Sequence, residues 1–252
     1  MGFEVCVYAM VVIYGLIIGS FLNVLILRIP AGEEFVKTRS HCTTCGYQLA
    51  WFDMVPVFSY LALKGKCRKC GEKISIQYPI VEAVNAVMYL LVFLCNGINF
   101  VSVIYCMVTS ALIVISVIDE RTMEIPFGLT VFIGVMGIIR AGMDFSHISL
   151  YIIGFCSVGL FLEILFVVSN GTWIGGGDAT LMMAAGLVLG WKNTIAAFFV
   201  ACIIGSVVHM IRMKLTDKDN VLALGPYLAL GVYLMLLCGD QFVNWYLGLI
   251  GF

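Results

Sequence analysis

Charge is what this sequence has least of. Of its 252 residues only 12% are Asp, Glu, Lys or Arg, about half the share usual in a soluble domain. With 62% hydrophobic residues and a mean hydropathy of +1.06, the composition excludes an ordinary soluble globule and reads as an all-α polytopic membrane protein. Histidine is scarce too, at three. No Ser/His/Asp set presents itself: His147 is expected outside the membrane, His209 is expected buried in an apolar span, and neither has a nearby nucleophile by topology. There is no low-complexity tail, no long linker, no internal repeat and no Rossmann-type glycine signature. The net charge of −1 says nothing about partners, because the charges are segregated, and nothing in their pattern points to nucleic acid. Oligomeric state is not legible.

Cysteine, by contrast, is present at ten. Six (Cys6, Cys95, Cys106, Cys156, Cys202, Cys238) lie in or beside apolar runs, where a thiol behaves as a small hydrophobe. The other four form Cys42-x-x-Cys45 and Cys67-x-x-Cys70 in the only long polar stretch, Pro30 to Gln77, each pair followed by glycine (Gly46, Gly71). Such a stretch is too short to bury an adequate core unaided, so a structural metal is a physical expectation as well as a motif. The pattern reads as a four-cysteine, zinc-ribbon-like domain in a reducing compartment, its intervening 21 residues one longer than usual. His41 is left as a surface residue, since four thiolates already close the site.

Eight apolar spans are expected: Cys6 to Ile29, Tyr78 to Cys95, Phe100 to Ile118, Phe127 to Ile139, His147 to Val168, Ala179 to Trp191, Thr194 to Met213 and Val221 to Cys238. Gly239 to Phe252 reads as an interfacial tail. The chain thus divides into a first span (1–29), the cysteine domain (30–77) and the remaining spans (78–252). The first span does not follow a cleavable signal pattern, because Glu4 precedes it and Arg28 ends it. Gly15, Gly19 and Ser20 give it a packing face, and Asn23 needs an interhelical partner. Placing the amino terminus outside leaves twelve of the 14 Lys and Arg on the cytoplasmic side and Arg140 and Lys192 outside, as the positive-inside rule requires.

That topology brings two carboxylates to one membrane face. Asp178 ends Trp173-Ile174-Gly175-Gly176-Gly177-Asp178, where three glycines give up helix stability for close approach or movement. Its plainer reading is a helix cap, and on local sequence the two readings weigh evenly. Asp119 closes a helix at the end where the macrodipole disfavours an anion. A salt bridge to Arg121 is its plainer reading, and Ile125-Pro126 restarts the chain. Each acid precedes a span of only 13 residues, about 20 Å long, so either the bilayer thins there or the acids sit in a wet cavity. Two carboxyls in a low-dielectric site split their proton affinities. One can then activate water while the other protonates the leaving amine.

An ordered set of motifs carries a resemblance over nearly the whole chain: Gly19-Ser20-Phe21-Leu22-Asn23-Val24 with Arg28 and Pro30, both cysteine pairs, Ser59-Tyr60-Leu61, Lys64-Gly65-Lys66-Cys67, Tyr78-Pro79, Val81-Glu82, Asp119 with Ile125-Pro126, Gly175-x-Gly177-Asp178, and Leu224-Gly225-Pro226 with Gly231. The chain resembles the bacterial type IV prepilin peptidases, GxGD-type intramembrane aspartic proteases. The resemblance implies that Asp119 and Asp178 form a catalytic dyad, with Gly175 and Gly177 beside an extended substrate backbone. It implies removal of the basic leader from type IV prepilin or pseudopilin precursors at the cytoplasmic face of the bacterial cell membrane. It further implies N-methylation of the new terminus by S-adenosylmethionine, with no cofactor-binding residue legible. The family's usual Lys two residues after the second Asp is Thr180 here, and its frequent Phe before Gly-Pro is Leu224. For Glu82, a role beside the cysteine domain and a simple interfacial placement weigh equally; for Glu163 and His209, interhelical hydrogen bonding is favoured. The competing functions are a peptidase without methylation and a zinc-stabilised scaffold or transporter.

Overall fold

The structure is a computed structural model and describes residues 2–34, 40–42, 44–215, 222–249 and 251. Among these residues it is helical, with α1 (Gly2–Ala31), α2 (Phe58–Ala62), α3 (Gln77–Asn96), α4 (Phe100–Thr122), α5 (Phe127–Met143), α6 (Ile148–Val168), α7 (Gly176–Leu189), α8 (Trp191–Leu215) and α9 (Gly225–Leu249). Six of these, α1, α3, α4, α6, α8 and α9, are long and apolar enough to cross a membrane; α5 and α7 are shorter apolar helices. The expected eight spans are therefore present as six long and two short helices. The chain divides into two compact units, 1–94 and 95–252.

In the first unit α1 and α3 touch backbone to backbone. A Cβ on Gly15 would lie 2.6 Å from Ala86 Cα, and one on Gly19 equally close to Glu82 Cα, so the small-residue face read from sequence is a packing seam. Asn23 finds its interhelical partner in the Tyr78 carbonyl at 3.2 Å. The cysteine domain consists of two matching knuckles. In each, a glycine with positive φ (Gly46 66°, Gly71 73°) turns the chain so that its N–H reaches the carbonyl of the first cysteine, at 2.9 Å in both. Isolated antiparallel bridges, His41 with Gln48 and Lys66 with Lys73, close the two hairpins. A glycine is required there because other residues rarely adopt that backbone conformation.

The second unit is a bundle built around α7. Ala179, Leu181, Met182 and Ala185 on it are fully buried, with α5, α6, α8 and α9 packed around it. A Cβ on either Gly154 of α6 or Gly186 of α7 would overlap the other's carbonyl oxygen. A helix apolar on all sides is an interior helix, and at 14 residues α7 extends about 21 Å. Its shortness is tolerated because its neighbours enclose it.

Several expected boundaries change. The span after Asp119 runs on to Met143 and has 17 residues, four more than expected, since Arg140 and Gly142 continue it. Trp191 opens α8 instead of closing α7: Gly190, at φ 74°, ends α7 and the next helix starts at once. The last span does not stop at Cys238. Its backbone breaks there (φ −142°, ψ 24°) but helix resumes to Leu249, so the expected tail is mostly helical. Val221, its expected start, lies outside the described residues.

Candidate active site and metal centre

Asp119 and Asp178 are brought to one end of the second unit, and both are buried, at 4% and 9% exposure. The folding-back that brings them together is local at each step. α4 ends on a left-handed Met123 (φ 55°) whose N–H bonds to the Asp119 carbonyl at 2.8 Å. Glu124 and Ile125 then cross to Pro126, which caps α5. Ile125 lands on the glycine stretch: a Cβ at Gly177 would lie 2.8 Å from Ile125 Cβ. The close approach that the glycines announced is therefore made by the chain itself. Gly176 and Gly177 are helical, with Gly175 at the N-cap, and the room expected for a substrate backbone at Gly177 is filled by Ile125.

Asp178 occupies the third position of α7. Its carboxylate stands beside Gly175, where an added Cβ would lie 3.2 Å from Oδ2, and the positive end of the helix dipole favours its charge. The capping bonds expected of Asp178 are not made: Gly175 is the N-cap, and the Asp178 carboxylate accepts no hydrogen bond among the described residues. Asp119 has the opposite problem, an anion at a helix carboxyl end, and the fold resolves it with another helix. The Gly225 N–H, at the start of α9, donates to Asp119 Oδ2 at 2.9 Å, in place of the expected Arg121. The two carboxylates lie within electrostatic reach of each other, and among the described residues no cation pairs with either. Thr180 bonds its hydroxyl to the Gly177 carbonyl at 2.9 Å and brings no charge.

Beside this end, Arg212 of α8 meets Glu120 of α4 at 2.6 Å, both half exposed. Glu163 and His209 are both half-buried. Neither makes the interhelical hydrogen bond expected of it among the described residues, because each stands on a face whose helical neighbours are exposed apolar side chains, Leu160 and Val167 for Glu163 and Met213 for His209. His147, at the other end of α5, pairs with Asp144 at 2.9 Å.

In the first unit the four cysteine sulfurs all lie within 4.8 Å of one another. Cys42 and Cys70 are 3.9 Å apart, and Cys45 and Cys67 4.0 Å. A tetrahedral zinc with bonds of about 2.3 Å needs sulfurs about 3.8 Å apart, so the donor set fits that ion. Backbone N–H groups of Cys45 and Thr44 pull the Cys42 thiol down to about 6. The N–H groups of Cys70 and Lys69 likewise lower Cys67. Although the Glu72 N–H favours its thiolate, Cys70 is pushed up to about 12 by burial and the neighbouring cysteines. Four thiols this close cannot all ionise without a cation among them.

What holds the two knuckles together carried no signal in the sequence. Asp53, with its side chain 1% exposed, accepts from Tyr47 Oη at 3.2 Å, from the Ala50 N–H at 3.2 Å and from Arg68 Nε at 2.8 Å. Tyr47 follows the first knuckle and Arg68 lies inside the second. Glu82 is likewise committed: it accepts the Val57 N–H at 2.7 Å and faces Ser20. It thereby holds Val57 at φ 59°, a conformation costly for a β-branched residue.

Comparison with known proteins agrees with this division. Residues 13–96 match the bacterial peptidase A24 N-terminal domain, which takes in all four knuckle cysteines. Residues 106–210 match the type IV leader peptidase family and include both aspartates. The chain is 32% identical to the prepilin leader peptidase/N-methyltransferase of Bacillus subtilis (strain 168), covering 93% of this chain and 96% of that one. It is 32% identical to the protein of the same name from Myxococcus xanthus (strain DK1622), covering 82% of this chain and 63% of that longer one. It is 26% identical to the one from Pseudomonas aeruginosa, covering 96% and 93%. No solved structure matches the chain.

Proposed function

Since the chain belongs to the type IV leader peptidase family, we propose that it is a multi-pass membrane aspartic endopeptidase that removes the leader of type IV prepilin or pseudopilin precursors and then N-methylates the new terminus. The observation that carries the peptidase reading is the pair Asp119 and Asp178: two buried carboxylates at one end of the bundle, within electrostatic reach and without a neutralising cation among the described residues. Such a pair holds one proton more readily than none or two. The ionised member takes a proton from water as the water attacks the scissile carbonyl, and the protonated member gives its proton to the departing amine. Gly175, at the rim of this pair, is the backbone beside which the substrate passes.

The side of the membrane follows from charge. With the amino terminus outside, alternating spans would leave twelve of the 14 basic residues in cytoplasmic connections, which supports a cytoplasmic active site and an external amino terminus in a bacterial cell membrane. For methyl transfer, the relatives' names carry the activity and S-adenosylmethionine is the donor it implies. Among the described residues there is no strand, glycine loop and helix in succession to seat that nucleotide, so no residue is assigned a step in it.

The deciding experiment is coexpression with a prepilin and mass spectrometry of the product. Wild type should give a shortened chain whose first residue carries one added methylene. Asp119→Asn and Asp178→Asn should each leave the precursor intact; full processing by either would refute the dyad. An unmodified first residue in every wild-type product would refute methylation alone. The Cys42, Cys45, Cys67 and Cys70 site is proposed to hold a structural zinc. Metal analysis of protein purified without chelator should find one zinc per chain, and four free thiols with no metal would overturn that assignment.

A further inference from the structure

We propose that Gly225 is a positioning residue for Asp119, so that the start of α9 sets the orientation of one half of the dyad. The inference rests on the reading of Asp119 as catalytic. The first residues of a helix leave backbone N–H groups without partners, and at α9 the sequence removes all but one of them. Leu224 precedes the helix, and its carbonyl takes the N–H groups of both Tyr227 and Leu228, each at 3.1 Å. Pro226 has no N–H to offer. Gly225 supplies the remaining donor, and it points at Asp119 Oδ2 at 2.9 Å in a buried setting.

The missing side chain at 225 matters as much as the N–H. A Cβ there would lie 2.5 Å from Asp119 Oδ2 and 2.9 Å from its Cγ. Any other residue would push the carboxylate off its donor. With Oδ2 held, Oδ1 is left for water. Gly-Pro at the head of α9 is therefore part of the active-site construction, although a sequence separation of 106 between Gly225 and Asp119 hides the connection from the sequence.

Gly225→Ala in the full-length enzyme should lower kcat on a purified prepilin by roughly 100-fold, the scale of a displacement of about 1 Å at a reacting group, while KM stays within about twofold. The same variant should melt lower than wild type, and adding Asp119→Ala should restore the melting temperature, because the atoms in the way are those of Asp119. Gly142→Ala, at a position with open space around it, should change neither quantity. If Gly225→Ala does not accumulate as folded protein, the double variant still reports: recovery of folding supports the contact, and continued failure refutes it. An unchanged kcat, or a melting deficit that persists without the Asp119 side chain, also overturns the proposal. Cleavage surviving in Asp119→Ala alone would instead refute the dyad, whatever the melting data show.

Discussion

In the first unit Asp53 is surrounded by donors and Glu82 accepts one backbone N–H, whereas in the second Asp119 receives a single backbone N–H and Asp178 accepts no hydrogen bond among the described residues. All four are buried. Asp53 has a hydroxyl, an amide and a guanidinium, so most of its acceptor capacity is used and its charge is matched. That is how a buried carboxylate holds structure together. The dyad acids keep free oxygens and lack a counter-charge among the described residues, which costs stability and leaves them able to exchange protons with a substrate. The difference separates a carboxylate that fastens from the pair proposed to react, and burial alone does not reveal it.

Removing the charge on each side in turn separates the two kinds of acid most clearly. Asp119→Asn and Asp178→Asn, which should abolish cleavage, should melt no lower than wild type, since a neutral amide relieves the repulsion between the acids. Asp53→Ala should do the reverse. Loss of its hydrogen bonds should destabilise the cysteine domain by about 1–3 kcal/mol, toward the lower figure because Arg68 is half exposed. Chemistry at the dyad should be unaffected. Faster reaction of the knuckle cysteines with a thiol reagent would report the loosening, and an unchanged rate would mean that Asp53 does not hold the knuckles.

Asp53 also predicts a pH dependence. Burial alone would raise its pKa, but Arg68, the Ala50 N–H and Tyr47 together hold it below the ordinary aspartate value. The unfolded chain therefore binds this proton more readily than the folded one. The stabilisation is fully present above about pH 4, the unfolded value, and is lost as pH falls through the lower folded value. In Asp53→Ala that portion of the acid transition of thiol protection should disappear.

Legibility in the sequence followed the range of the interaction. The knuckles were readable because Cys-x-x-Cys-Gly encodes its own turn within five residues, and α1 showed its packing face through Gly15 and Gly19. The proximity of Asp119 and Asp178 was readable through topology, since an even number of expected spans separates the end of α4 from the start of α7. Hidden were contacts between residues far apart in the chain: Ile125 on Gly177, Arg68 on Asp53, Gly225 on Asp119. The end of α9 was misread for another reason. Gly239 and Asp240 lower the local hydropathy as a helix end would, yet the backbone breaks only at Cys238 and then continues.

The mildest change concerns the absence of a cation from the dyad. Arg212 stands close by, but its guanidinium is turned to Glu120 at 2.6 Å with both side chains about half exposed, and it also faces Tyr227 of α9. An exposed pair of this kind contributes about 0.2–1 kcal/mol, so Arg212→Ala should lower the melting temperature by no more than roughly 2–4 °C and leave kcat for leader removal unchanged. Thr180 likewise brings no positive charge to the site, its hydroxyl being bonded to the Gly177 carbonyl. If Arg212→Ala instead reduced cleavage as severely as loss of a dyad acid, the missing charge would have been supplied from α8. The contrast between matched and unmatched carboxylates would then hold for Asp178 but fail for Asp119, the acid that stands next to Glu120.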